Sequence, residues 1–166
     1  MFHRHLGLSL VVVVITLAGC ASSPTPHESQ TEAIHSVLDD FHEAAARADE
    51  SRYFAHLSDD SVFLGTDGTE RWGRDAFQKF AHPHFASGKG WTFKPRDRNI
   101  AVSADGRTAW FDEMLDSASY GECRGTGVLQ KRDSVWKIEQ YNLSIPMPND
   151  LADDLVATIR AKKRGP

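Results

Sequence analysis

The chain reads as an α+β fold, on two observations about the order of its patterns. In the first half apolar residues recur at helical spacing, and in the second half long alternating runs follow one another between short turn signals. Helices first and a meander of antiparallel strands afterwards argue for helices covering one face of a bent sheet.

Ile34, Val37, Leu38, Phe41, Ala45 and Ala48 form an apolar stripe, with Asp39, Asp40, Glu43 and Arg47 opposite it, so residues 32–48 are predicted as an amphipathic helix. A short helical turn follows at 51–57. Residues 61–65 read as a strand ending in the Asp67-Gly68 turn, and 70–72 as a brief return strand. Residues 74–85 are helical again, with Phe77, Phe80, Ala81, His84 and Phe85 on one side, and Pro83 is expected to kink or end that helix. Four strands are predicted next, at 91–103, 107–118, 122–131 and 135–145. Asp105-Gly106, Ser119-Tyr120-Gly121 and Arg132-Asp133-Ser134 supply the turns. A last helix over 150–162 presents Leu151, Leu155, Val156 and Ile159.

Ahead of this domain lies a leader. His3, Arg4 and His5 precede a run over residues 6–18 interrupted only by Gly7, Ser9 and Thr16, and Leu17-Ala18-Gly19 stands directly before Cys20. The run is shorter than the ~20 apolar residues that a spanning helix needs. The leader resembles a bacterial lipoprotein signal peptide, which implies cleavage before Cys20 and acylation of its thiol. Ala21 stands where that family uses aspartate for inner-membrane retention, so the resemblance implies the cell envelope, with an outer-membrane anchor facing the periplasm. The organisation expected is a signal peptide at 1–19, the lipidated cysteine and a flexible tether at 20–30, one domain at 31–148, and a C-terminal helix and basic tail at 149–166.

Charge and cysteines exclude several classes. The 166 residues carry 19 Lys and Arg against 23 Asp and Glu, a net charge of -4. The basic residues are scattered except for Arg160, Lys162, Lys163 and Arg164, which is not the basic face of a nucleic-acid binder. Cys20 and Cys123 are the only cysteines, and Cys123 is expected to be a small buried residue. No Gly-rich phosphate loop, Cys-x-x-Cys or Gly-x-Ser-x-Gly occurs, so no nucleotide cofactor, zinc ribbon or elbow-type hydrolase is expected. His82 and His84 flank Pro83 and point to different sides of their helix, so no metal site is expected there.

A long first helix, a short second one, the Asp59-Asp60-Ser61-Val62-Phe63 strand, the Trp72-Gly73 helix start and Trp136-Lys137-Ile138 followed by Tyr141-Asn142-Leu143 together resemble the SnoaL-like branch of the nuclear transport factor 2-like superfamily. The resemblance covers residues 31–148. It implies a curved sheet wrapped around helices into a cone, whose open end holds a ligand in some members and an active site in others.

Counting outward from the turns sets Asp112 opposite Arg124, Lys131 opposite Val135, and Arg124 opposite Asn142. One strand face then carries Trp110, Val128, Trp136 and Ile138 with Asp112, Arg124, Thr126, Gln140 and Asn142. The other carries Phe111, Glu113, Leu115, Cys123, Leu129, Lys137, Glu139, Tyr141 and Leu143. The first is taken as the cavity face because Trp136 and Ile138 alternate with Lys137 and Glu139, although a one-residue slip or a bulge exchanges the two. The expected ligand contacts are Tyr53, Trp72, Trp110, Asp112, Arg124, Gln140 and Asn142. Binding of a small, partly apolar ligand is the primary expectation. The enzyme alternative abstracts a proton next to a carbonyl, with Asp112 as base and Arg124 or His84 stabilising the enolate. Asp112 with Arg124 also reads as a plain cross-strand ion pair, and His84 as a core histidine. The third alternative is a homodimeric module without ligand, paired through Glu113, Lys137, Glu139 and Tyr141.

Overall fold

The computed structural model of the chain describes residues 26–163; the leader, Cys20 and residues 21–25 lie outside the described residues, as do residues 164–166. In chain order the elements are α1 (Pro26–Ala46), α2 (Glu50–Ala55), β1 (Leu57–Leu64), β2 (Arg71–Gly73), α3 (Arg74–Ala86), β3 (Lys94–Val102), β4 (Thr108–Ser117), β5 (Gly121–Arg132), β6 (Val135–Ser144), a 3-10 turn (Asn149–Leu151) and α4 (Ala152–Lys163). The α+β class is as predicted, element for element. Most boundaries agree within two residues, but β1 begins four residues early, at Leu57, β3 begins three residues late, at Lys94, and two helices differ as well. Helix α1 begins six residues early, so residues 26–30 are helix and not tether. Helix α3 runs through Pro83 to Ala86. Pro83 is exposed and only three helical residues follow it, so the single backbone bond it forfeits costs little there.

The six strands form one sheet in the order β2-β1-β6-β5-β4-β3, with β1 parallel to β6 and every other pair antiparallel. Helices α1 and α3 pack on it, α1 against β3 and β6 and α3 against β1 and β2. The stripe Ile34, Leu38, Phe41 and Ala45 is buried, as are Phe77, Ala81 and Phe85 of α3. Strands β4 and β5 meet them with Ala109, Phe111, Leu115, Cys123 and Leu129. Cys123 lies in this core, and burial raises its thiol pKa.

The sheet register corrects the expected one at both hairpins. The β4–β5 loop is Ala118-Ser119-Tyr120, so Ser117 pairs with Gly121, Asp112 with Thr126, and Arg124 with Met114. This is a two-residue shift and leaves the faces unchanged. The β5–β6 loop is the two-residue Asp133-Ser134, both at positive φ (47° and 71°), a primed turn that matches strand twist; Arg132 therefore faces Val135. A bulge then intervenes, because Leu129 pairs with Ile138 but Val128 with Gln140. The extra residue, Glu139, exchanges the faces of β6 halfway along. Trp136 and Ile138 are buried before it, and Tyr141 and Leu143 after it.

Candidate functional site

The bulge decides which side chains share the cavity. The cavity face of the sheet carries Phe111, Glu113 and Leu115 with Tyr141 and Leu143, and between the sheet and the helices a cavity of about 220 Å³ opens to solvent. Its floor is Phe41, His42 and Tyr53 from the helical layer and Phe63, Phe77 and Tyr141 around them, all buried. Phe63 stacks on Phe77 with centroids 4.0 Å apart, and Phe41 on Tyr53 at 4.3 Å. Trp72, stacked on Phe80 at 4.8 Å, and Trp91 and Phe93 continue the wall. Tyr120, His84 and the segment that holds Gly65, Thr66 and Glu70 form the mouth, where Phe80 and Tyr120 are half exposed.

Behind the floor lies a charged network that the sequence reading did not single out. Glu113 is completely buried. Its Oε1 stands 2.7 Å from His42 Nε2 and accepts the Tyr141 hydroxyl at 3.1 Å, while its Oε2 accepts Arg98 Nε at 2.7 Å. Arg98 Nη1 in turn donates to Asp39 Oδ1 at 2.8 Å and to the His35 carbonyl at 3.3 Å. Burial by itself raises the Glu113 pKa, but the hydrogen bonds and charges of His42 and Arg98 outweigh it and hold the carboxyl below its ordinary value. Burial raises the Tyr141 phenol well above its ordinary value, and the adjacent Glu113 carboxylate pushes it further. Gly125 makes the cluster possible. A Cβ there would stand 2.4 Å from the Tyr141 hydroxyl and 3.0 Å from Glu113 Oε1. A signal for this cluster was present: His42 follows Leu38 by four residues on the buried stripe of α1, and Glu113 alternates with Phe111 and Leu115.

The structure divides the expected site residues. Tyr53 and Trp72 line the cavity, and His84 stands at its mouth, with its ring 5.8 Å from Phe80 and 6.4 Å from Trp91. Trp110, Asp112, Arg124 and Gln140 are exposed, and Asn142 is half-buried. These five lie on the outer face of the sheet, away from the cavity, which corrects the face assignment. Asp112 accepts a hydrogen bond from Asn99 Nδ2 at 3.1 Å and does not pair with Arg124. The pairing face expected from Glu113, Lys137, Glu139 and Tyr141 is corrected too. Glu113 and Tyr141 are core residues, and the bulged Glu139 accepts Arg132 and Ser58 within this chain. His82 diverges from His84 and pairs with Glu50, Nδ1 to Oε2 2.8 Å. Among the described residues no three His, Cys, Asp or Glu side chains converge as a metal site, and no helix is long and apolar enough to cross a membrane.

Comparison with known proteins accords with this geometry. The family model of the SnoaL-like domain matches residues 34–148. The chain belongs to the SnoaL-like domain family. A Pseudomonas putida NTF2-like protein of unknown function superimposes with a TM-score of 0.61 at 15% identity, over 74% of this chain and 89% of its own. A Streptomyces avermitilis protein described as a candidate dehydratase of the NTF2-like family gives 0.61 at 17% identity, over 74% and 99%. A Nostoc punctiforme domain of unknown function with a cystatin-like fold gives 0.61 at 17%, over 80% and 98%. At these identities the likeness shows the fold alone. No curated relative matches the SnoaL-like chain.

Proposed function

We propose that this SnoaL-like domain binds a small, largely apolar ring compound, with His42 and Tyr141 as the polar contacts at the cavity floor. The observation that carries the reading is the open cavity itself: ten of its lining side chains are Phe, Tyr or Trp, and its polar groups are few. Flat rings against flat rings bury much area at low entropy cost. The test is native mass spectrometry of the chain purified from its own host, before and after mild organic extraction, with the Phe80→Ala/Tyr120→Ala double variant beside it. A reproducible adduct that extraction removes and the variant lacks supports the reading. No adduct, together with unchanged tryptophan fluorescence across a panel of ring compounds, sinks it.

A second reading, proton-transfer catalysis, is favoured by one specific contact. Glu113 holds His42 Nε2 at 2.7 Å, which leaves Nδ1 as the ring nitrogen for a cavity ligand. A histidine oriented by a buried carboxylate is the arrangement a general base requires. Asp112, on the outer face, has no access to such a ligand. Deuterium incorporation next to the carbonyl of a cyclic ketone in heavy water, lost in His42→Gln, supports this reading; exchange that persists in the variant removes His42 from it. The leader adds an acyl anchor at Cys20 to either reading, tested by labelled palmitate incorporation that Cys20→Ser abolishes.

A further inference from the structure

We infer that the preferred ligand is an organic cation with a compact apolar body, of the tertiary or quaternary ammonium class; this rests on the cavity-binding reading and names its ligand class. Three observations converge on it. First, among the described residues no lysine or arginine lines the cavity, and the one carboxylate in the lining is Glu70 at the mouth. An entering carboxylate or phosphate would give up its water and meet two histidines only, His42, whose Nε2 is already held by Glu113, and His84 at the mouth. Arg98 is not part of the lining and is committed behind the floor to Glu113 and Asp39.

Second, the mouth and upper wall are aromatic. Trp72, Phe80, Trp91, Phe93 and Tyr120 contribute rings, and ring faces carry the negative lobe of the quadrupole, which attracts a weakly hydrated cation and repels an anion. Third, the carboxylate sits beside a ring. A Cβ placed on Gly65 would lie 2.2 Å from Glu70 Oε2 and 3.0 Å from the Trp72 six-membered ring, so the acid and the indole edge border the same point of the mouth. Glu70 Oε2 also accepts the Asp67 N–H at 3.1 Å, which holds the carboxylate on that segment. Ring walls capped by one fixed carboxylate suit an alkylated ammonium: the alkyl groups pack on the rings, and the charge is balanced without a strong hydrogen bond.

The experiment compares three probes of similar size on the purified full-length chain by tryptophan fluorescence and calorimetry: phenyltrimethylammonium, its neutral isostere tert-butylbenzene, and benzenesulfonate. The expected result is binding of the cation at least tenfold tighter than of the neutral isostere and weakest binding of the sulfonate. Glu70→Gln should cut the advantage of the cation over the isostere at least threefold, the ring walls keeping the remainder. Equal or tighter binding of the isostere or the sulfonate to the native chain overturns the inference and leaves the cavity reading standing. An undiminished cation preference in Glu70→Gln overturns the role given to that carboxylate. Failure of all three probes to bind a folded chain overturns the cavity reading itself.

Discussion

The two faces of strands β4 to β6 hold similar polar side chains in opposite circumstances. On the outer face Asp112, Arg124, Gln140 and Asn142 stand in or close to water, each with local partners at most. On the cavity face Glu113 is withdrawn from water and bonded at 2.7 Å to both His42 of α1 and Arg98 of β3, whose side chains are buried with it. Charge in water is cheap and says little about position; charge in a core must be satisfied and therefore specifies its neighbours. The comparison teaches that in this cone the informative polar residues are those that interrupt an apolar face.

The largest break in that contrast should come from Glu113→Ala set against Asp112→Ala. Removing Glu113 leaves Arg98 and His42 buried with a lost partner, a loss of about 3–5 kcal/mol, while the exposed Asp112 change should stay within about 0.5 kcal/mol. Urea denaturation of both variants measures the difference; equal midpoints would mean that the buried network carries no weight. Gly125→Ala is next. Its methyl group collides with the Tyr141 hydroxyl and should cost about 1–3 kcal/mol, whereas Gly68→Ala, with open space around the added Cβ, should stay within about 0.5 kcal/mol. A thermal melt of the pair checks this.

Acid sharpens the comparison without mutation. The folded chain holds Glu113 below its ordinary 4.5 and, chiefly through the Arg52 hydrogen bond, Asp40 at about 2 against an ordinary 3.8. The unfolded chain takes up these protons first, so their contribution is complete above the ordinary values and declines as pH falls through the folded ones. Stability should decline gently as pH falls below about 6.5, where burial keeps His56 neutral in the folded chain while the unfolded chain protonates it, and fall more steeply below about pH 4.5. In Glu113→Gln the slope of that fall should diminish, and an unchanged slope would assign it to other carboxyls. The smallest effect concerns the ligand. Tyr120 and Trp110 are almost equally exposed, 53% and 52%, but only Tyr120 borders the cavity. Tyr120→Ala should weaken ring-ligand binding about threefold to tenfold, and Trp110→Ala should leave it unchanged. A titration in which Trp110→Ala is the weaker binder would move the site to the outer face.

Periodicity alone was sufficient for the elements, because helix and strand spacing, Asp-Gly turns and alternating runs are local properties of a chain. It also sufficed to place Tyr53 and Trp72 among residues worth watching, and the motifs at Asp59 to Phe63 and Trp136 to Leu143 were enough for the family. The facing of β6 was not legible in this way. One bulged residue, Glu139, moves Tyr141 and Leu143 to the side occupied by Trp136 and Ile138, and nothing in the local pattern announces it. The site needed the same nonlocal information. His42 and Glu113 are 71 residues apart, and Arg98 reaches 59 residues back to Asp39. Each looks ordinary in its own segment; only the packing of α1 across β3, β4 and β6 brings them behind one aromatic cavity. Local pattern thus settles what most segments become, whereas packing settles which polar groups lose water together, since burial is set by neighbours distant in the chain.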